Sequence, residues 1–166
     1  MSQTASQSEN IGDYLANGAV DVIVADGANF PLPAFGPRAT QKLSKGRVEV
    51  RAFGFTRASD QMNVNPQGAY YYNHRRGTLA FTVVTQRQSQ TAVAPDSVHS
   101  AAIGRVRWLM SRIAQQLLPS VVGGYQIVDV IDNGDNYASD DAEQTDRTEI
   151  RFQIDLLITP DNYQSA

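Results

Sequence analysis

The side chains that most often carry out catalysis or bind metals are scarce in this chain. It contains two histidines, His74 and His99, and no cysteine among its 166 residues. The missing thiols exclude disulfides, thiolate nucleophiles and cysteine-ligated zinc or iron–sulfur clusters. Neither histidine has a second one at metal-binding spacing, and no Gly-x-Ser-x-Gly nucleophile elbow is present. The sequence therefore predicts no enzyme activity, metal or cofactor, and it places both histidines at the surface or an interface.

Carboxylates are most concentrated between Asp132 and Asp146. An EF-hand calcium loop needs oxygen ligands at positions one, three and five, and glycine at position six. Counting from Asp132 puts Tyr137 at position six, and counting from Asp135 puts Asp140 there, so neither register fits. We interpret the segment as a solvated, flexible loop that like-charge repulsion keeps extended.

Signatures of phosphate and nucleic-acid binding are also missing. No glycine-rich loop is followed by Lys and Ser or Thr, and Gly123-Gly124 follows a predicted helix, as expected of a helix-to-strand turn. The net charge of −3 and the pI of about 5.3 provide no basic footprint for the whole domain.

One short aromatic and basic cluster remains as a contact site. Tyrosines next to arginines can stack bases and neutralise phosphates, but they are also the residue types enriched at protein interface hot spots. The cluster is short and the chain is acidic, which favours contact with a neighbouring subunit or a partner protein. Its members are Tyr70, Tyr71, Tyr72, His74, Arg75 and Arg76.

The elements that would position these residues follow from hydrophobic periodicity. Alternating apolar and polar residues predict four strands, and an apolar residue every three or four positions predicts one long helix. A short helix or turn near Ile11 precedes them. The predicted strands are Arg47–Thr56, Gly77–Gln86, Gln126–Asp132 and Glu149–Thr159, and the long helix is Ser97–Leu118.

These elements predict an α+β fold, an antiparallel four-stranded sheet with the long amphipathic helix packed on one face. The polar residues 57–76 would form an extended hairpin arm, and Phe152 would lie in the core. We expect a polar tail at 1–10, one domain over 11–160 and a second tail at 161–166. No apolar run approaches the length of a membrane span, and the first residues do not form a signal peptide.

The layout of the ordered chain resembles the tail-terminator and tail-completion proteins of long-tailed bacteriophages and their relatives at the head–tail neck. The segments that carry this likeness are Arg47-Val48-Glu49-Val50-Arg51, the strand Asn73 to Val83, the helix His99 to Leu118, and the two strands Tyr125 to Val130 and Ile150 to Asp155.

The resemblance implies a non-catalytic virion protein, assembled in the cytoplasm of a bacterial host, that forms a ring, commonly hexameric. Such a ring caps the tail tube, contacts the tube protein and the head–neck connector, and lets DNA pass without binding it specifically. The predicted acidic loop would then face the DNA channel through Asp135, Asp140, Asp141 and Asp146. Another virion tube or connector subunit, and a monomeric binding module, remain as alternatives.

Overall fold

The computed structural model describes residues 11–37, 46–57, 63–64, 71–87, 97–116, 125–140 and 144–158. Both predicted tails, together with Tyr70 and Asp141, lie outside these ranges. Within them the chain forms two α-helices, α1 (Ile11–Ala25) and α2 (Ser97–Gln116), and a 3-10 turn at Gly27–Asn29. The strands are β1 (Ala34–Phe35), β2 (Arg47–Arg57), β3 (Asn63–Val64), β4 (Tyr71–Gln86), β5 (Tyr125–Asp140) and β6 (Thr145–Ile158).

The strands form one mixed sheet in the order β1-β2-β4-β6-β5, with β3 paired to β4. Every pairing is antiparallel except that of β1 with β2. The four predicted strands are its four long strands, so the α+β class is confirmed, whereas the strand count was too low. The prediction missed β1 because it lies in a proline-containing connector. Proline cannot donate a hydrogen bond, but the Pro33 carbonyl accepts one from the Val48 N–H at 2.8 Å.

Three strands are longer than their hydrophobic alternation predicted. β4 begins at Tyr71 because residues 73–76 pair with the last residues of β6, which shortens the predicted hairpin arm. β5 continues to Asp140 and β6 begins at Thr145, so the prediction of a flexible acidic loop from Asp132 to Asp146 was wrong for residues 132–140 and 145–146. Backbone pairing between the two strands, with a bulge between Asp132 and Asp135, continues through this polar sequence.

Both helices pack on the same face of the sheet, which we call the helix-covered face. Leu79, Phe81 and Val83 of β4 and Ile150 and Phe152 of β6 are buried there, as predicted. The rings of Phe81 and Phe152 meet edge to face, with centroids 5.8 Å apart. Each of these side chains contributes roughly 1.5–3 kcal/mol through burial.

Helix α2 is rotated slightly from its predicted orientation. Its buried stripe includes His99 and Met110, while Val98, which was predicted to be in the stripe, is 39% exposed. Hydrophobicity alone would place Val98 in the interior rather than His99. His99 can be buried instead because its ring has hydrogen-bond partners there.

Two glycines allow close approaches that set this packing. A Cβ on Gly12 would lie 2.5 Å from the carbonyl oxygen of Ala52, so glycine lets α1 begin directly against β2. A Cβ on Gly77 would lie 2.5 Å from ring carbons of Phe55, which covers that point of β4. The prediction of a short helix or turn at Ile11 underestimated α1, which runs 15 residues despite its glycines.

Candidate functional site

The buried histidine is the first candidate for chemistry. His99 is 0% exposed, which corrects the prediction that it lies at the surface or an interface. Its Nδ1 lies 2.7 Å from the hydroxyl of Thr85 and its Nε2 lies 2.7 Å from the hydroxyl of Thr148. A hydroxyl can donate or accept, so the two threonines satisfy either neutral tautomer. All three side chains are buried, and they tie α2 to β4 and β6.

Two of the four predicted channel-facing carboxylates, Asp146 and Asp135, make structural contacts. Asp146 is buried, accepts a hydrogen bond from the Tyr137 hydroxyl at 2.7 Å and lies 3.7 Å from Arg87. This hydrogen bond raises the pKa of Tyr137. A buried, paired carboxylate is poorly placed for the diffuse repulsion of DNA. Asp140 ends β5, and whether it faces a channel stays a prediction.

Asp135 belongs to a second contact, centred on Arg107 of α2. The guanidinium binds Asp132 at 2.8 Å and Asp135 at 2.9 Å, and it thereby fastens α2 to the bulge of β5. The hydrogen bond from Arg107 holds the pKa of Asp132 below its ordinary value. Sequence analysis identified the acidic residues, but it did not identify the arginine that pairs with them.

The aromatic and basic cluster is only partly described. Tyr71, Tyr72 and His74 lie in β4. That the cluster contacts a subunit or partner protein stays a prediction. Arg76 makes a two-point contact with Asp155, at 2.8 and 3.1 Å. These hydrogen bonds to Asp155 raise the pKa of Arg76 above its ordinary value. The Nε of Arg75 is buried and has no hydrogen-bond partner among the described residues.

The other side of the sheet, which we call the open face, carries the most ordered array of charges. It consists of the side chains of β2, β4 and β6 that alternate with those on the helix-covered face, and Ala80 and Val84 among them are buried. Strand register aligns them in three rows across the sheet. The rows are Arg51–Ala80–Arg151, Glu49–Thr82–Glu149 and Arg47–Val84–Arg147. A row of two glutamates therefore lies between two rows of arginines.

Ion pairs connect these rows into what we call the arginine–glutamate lattice. Glu149 accepts hydrogen bonds from Arg51, at 2.7 Å, and from Arg151. Partial burial alone would raise the pKa of Glu149, but the bonds from Arg151 and Arg51 outweigh it and hold the pKa below its ordinary value. Glu49 lies 3.4 Å from Arg47 and 4.0 Å from Arg147. Each carboxylate is thus shared by two guanidinium groups.

An aromatic ring ends the lattice on one side. Phe53 is 37% exposed, and the guanidinium carbons of Arg51 and Arg151 lie 5.0 and 5.7 Å from the centroid of its ring. The side chains of these arginines are 55% and 53% exposed. Cation–π contacts and a shared carboxylate hold both guanidinium groups in place while leaving them accessible. Arginine and aromatic residues in this arrangement are typical of interface hot spots.

A trough of about 510 Å³ runs along the open face. It is lined by Thr82, by the two glutamates and by Arg51 and Arg147. The lining is completed by Gly36, Pro37, Val50, Asn136 and Ala138. Its lining mixes charged side chains with apolar atoms, unlike the mostly apolar pockets that usually bind small molecules.

Sequence analysis missed the lattice, although a signal for it is present. The pattern Arg-x-Glu-x-Arg occurs at 47–51 and again at 147–151. Both strands pair with β4, so each pattern places three charged side chains on the open face at matching heights. A search for repeated charge patterns, in addition to hydrophobic alternation, would have indicated this surface.

The exposed side of α2 carries a smaller basic group. Trp108, the only tryptophan, is 41% exposed. The guanidinium carbons of Arg105 and Arg112 lie 3.8 and 4.7 Å from the centroid of its ring. Arg105 also binds both carboxylate oxygens of Asp26, at 2.6 and 2.7 Å. The hydrogen bond from Arg105 holds the pKa of Asp26 below its ordinary value. This contact joins the end of α1 to α2.

Two searches of the described ranges bear on other kinds of site. Within residues 11–37, 46–57, 63–64, 71–87, 97–116, 125–140 and 144–158, no three His, Asp or Glu side chains are grouped to hold a metal ion. Neither of the helices in those ranges combines the length and the apolar character needed to cross a bilayer.

Comparison with known proteins gives one informative result. No protein-family model and no curated protein matches the chain. Among solved structures, a chain of the structure described as "Virion of native gene transfer agent (GTA) particle" aligns with a TM-score of 0.55 and 11% sequence identity. The alignment covers 87% of this chain and 95% of that one. At this identity the likeness shows a shared fold over nearly the whole length of both chains.

Proposed function

We propose that this chain is a structural protein of a phage-type virion, and that it forms the ring that ends the tail tube and joins it to the head–neck connector. The observation that carries the proposal is the full-length fold likeness to a chain of a gene transfer agent virion. Because the likeness covers 87% of this chain and 95% of the virion chain, it supports the proposal for the whole described fold rather than for a part of it.

The surfaces of the molecule support an assembly role. Rings form when a patch on one subunit binds a different patch on the next and the rotation closes. The open face, with its exposed arginines and Phe53, provides one such patch. The helix-covered face is already filled by α1 and α2 and contributes stability.

The buried position of the histidine supports a non-catalytic role. A general base must reach the proton that it removes from a substrate. His99, Thr85 and Thr148 are all buried, and each threonine hydroxyl is hydrogen-bonded to the His99 ring, so the ring is not accessible to a substrate in solution. Their contacts are those of a structural polar cluster in the core.

Electron microscopy tests the proposal at two levels. Negative-stain images of the purified full chain should show closed rings, with a solution mass of about six times 18.2 kDa for the expected hexamer. Antibodies against the chain should label particles from the source cells at the junction of head and tail. Label along the whole tail would assign the chain to the tube, and label at the capsid vertex would assign it to the connector. Unlabelled particles would overturn the virion assignment.

A further inference from the structure

Two exposed guanidinium groups on the open face keep most of their hydrogen-bond donors for a partner. Each guanidinium has five N–H donors. Within the described residues, Nη2 of Arg51 and Nε of Arg151 bind Glu149, which leaves the other N–H groups of both arginines to bind an incoming anion. The shared carboxylate and the ring of Phe53 hold both groups in place, so binding would cost little conformational entropy. The lattice has four arginines and two glutamates, and its excess of two positive charges favours a partner that carries carboxylates or phosphates.

The outer side of α1 has the opposite charge. This helix contains two aspartates, Asp13 and Asp21, and no basic residue. Asn17, Asp21 and Val24 are exposed and follow one another at helical spacing, so they form one ridge, which we call the α1 ridge. Val24 is 65% exposed, and covering an apolar side chain of this size with a partner is favourable.

The other helix does not provide such a surface. α2 contains three arginines and no acidic residue, so its outer side would be repelled by the exposed arginines of the lattice. Both helices pack on the helix-covered face, so the sheet separates the α1 ridge from the open face of its own subunit. Only a second copy can bring the ridge and the lattice together.

The spacing of the ridge matches the spacing of the rows. With a rise of about 1.5 Å per residue, the three ridge residues lie about 6 and 4.5 Å apart along the helix. With about 3.3 Å per residue, the glutamate row, the exposed arginine row and the row of Phe53 lie about 6.6 Å apart along β2. A ridge that runs along β2 therefore brings Asp21 to the exposed arginines and Val24 to the ring of Phe53. The uncharged Asn17 then lies at the glutamate row, where a carboxylate would be repelled.

A protein partner suits the lattice better than DNA does. Proteins that bind duplex DNA through its backbone typically neutralise roughly 6–10 phosphates. The lattice has an excess of only two positive charges, and Glu49 and Glu149 would repel a phosphate backbone. A helix that carries one exposed carboxylate beside an apolar side chain matches both the charge and the aromatic ring of the open face.

We infer that the open face of one copy binds the α1 ridge of a second copy, with Asp21 bound by the exposed arginines and Val24 packed against Phe53. The inference rests on the proposed function, and it names the contact between neighbouring subunits. The two patches differ and lie on different sides of the sheet, so the contact is heterologous and can repeat from copy to copy. Such a series of copies forms a ring where the rotation closes and a filament where it does not.

Two double variants separate the halves of this contact. The receptor variant combines Arg51→Gln with Arg151→Gln, and the ridge variant combines Asp21→Asn with Val24→Ser. Each should weaken self-association by roughly tenfold or more, since each removes one side of a charge-paired contact. Sedimentation velocity of the full chains should show monomers for either variant at concentrations where the natural sequence forms rings.

The positions were chosen so that the variants keep the fold. All four side chains are exposed, and circular dichroism verifies that each variant is folded. Where a double variant does not fold, Arg151→Gln alone or Asp21→Asn alone replaces it, with the same expected direction. Arg112→Gln, which removes an exposed arginine from α2, serves as the control and should leave the rings intact.

Mixing the two variants gives the decisive measurement. The receptor variant keeps an intact α1 ridge, and the ridge variant keeps an intact lattice, so one good contact can form between them. The mixture should therefore give one-to-one dimers, of about twice 18.2 kDa, that grow no further. A mixture that stays monomeric at concentrations where the natural chain assembles would show that these two patches do not bind each other.

The other outcomes distinguish the contact from the proposed function. If either variant forms rings as readily as the natural chain, the contact is overturned and the proposed function survives. Filaments in place of rings, lost in both variants, support the contact and overturn the ring. A natural chain that is monomeric at every concentration overturns both. Binding of a short DNA duplex by the natural chain, lost in the receptor variant, overturns the contact and assigns the lattice to nucleic acid.

Discussion

The two faces of the sheet are built from the same three strands but follow different physical rules. On the helix-covered face, Leu79, Phe81 and Phe152 are buried together with the helices, and their contribution is mainly hydrophobic. On the open face, the side chains between them are arranged by charge in alternating rows. Burial contributes roughly 1.5–3 kcal/mol for each large apolar side chain, whereas exposed ion pairs contribute little. The difference indicates that one face maintains the fold and the other is available for contacts.

The largest effect should come from the centre of the helix-covered face. Phe152→Ala should lower the free energy of unfolding by roughly 3–5 kcal/mol, because it leaves a cavity beside Phe81. Urea denaturation measures the change. Phe53→Ala on the open face is the matched control and should cost much less. Equal losses at the two positions would show that the faces do not differ as described.

The buried histidine should give the next largest effect. His99→Ala should cost about 2–4 kcal/mol, since the hydroxyls of Thr85 and Thr148 each lose a partner in the interior. Ser100→Ala, at an exposed position in the same helix, should change stability by less than about 0.5 kcal/mol. Unfolding free energies from urea titration compare the two, and similar values would mean that His99 does not link α2 to the sheet.

The contact between Asp26 and Arg105 should appear in the pH dependence of stability. The folded state holds the pKa of Asp26 below its ordinary value, so the contact stabilises the fold at neutral pH and is lost as pH falls below about 4. Asp26→Asn should therefore be less stable than the natural chain at pH 7, and the difference should be smaller at pH 3. Thermal unfolding at both pH values measures this. A constant difference would assign the loss to packing.

The smallest effect on stability is expected on the open face. Arg51→Gln combined with Arg151→Gln should change the unfolding free energy of the monomer by no more than about 1 kcal/mol, because both arginines are exposed. The same double change should abolish ring formation if the lattice is a subunit contact. A loss of several kcal/mol in the monomer would instead show that the lattice is part of the fold.

The sequence predicted the helix-covered face well and the open face poorly. Alternation in β2, β4 and β6 correctly predicted the core around Phe81 and Phe152, because hydrophobic period follows directly from burial. The extensions of β5 and β6 were missed because their residues are polar. They are strands because they pair with each other, which no local sequence pattern indicates. The lattice was missed because register across β4, which brings residues 47–51 and 147–151 together, arises only in the folded sheet.

The pairing of β4 with β6 has a mechanical consequence. It continues without a bulge through fourteen residue pairs, from Asn73–Ile158 to Gln86–Thr145. Tension applied at opposite ends of the two strands loads all of these hydrogen bonds together in shear, whereas tension at the same end opens them one after another. The chain has no cysteine, so thiol handles can be introduced at Asn73 and Gln144 for shear, or at Gln86 and Gln144 for opening. Rupture forces in optical-trap experiments should be higher for the first pair.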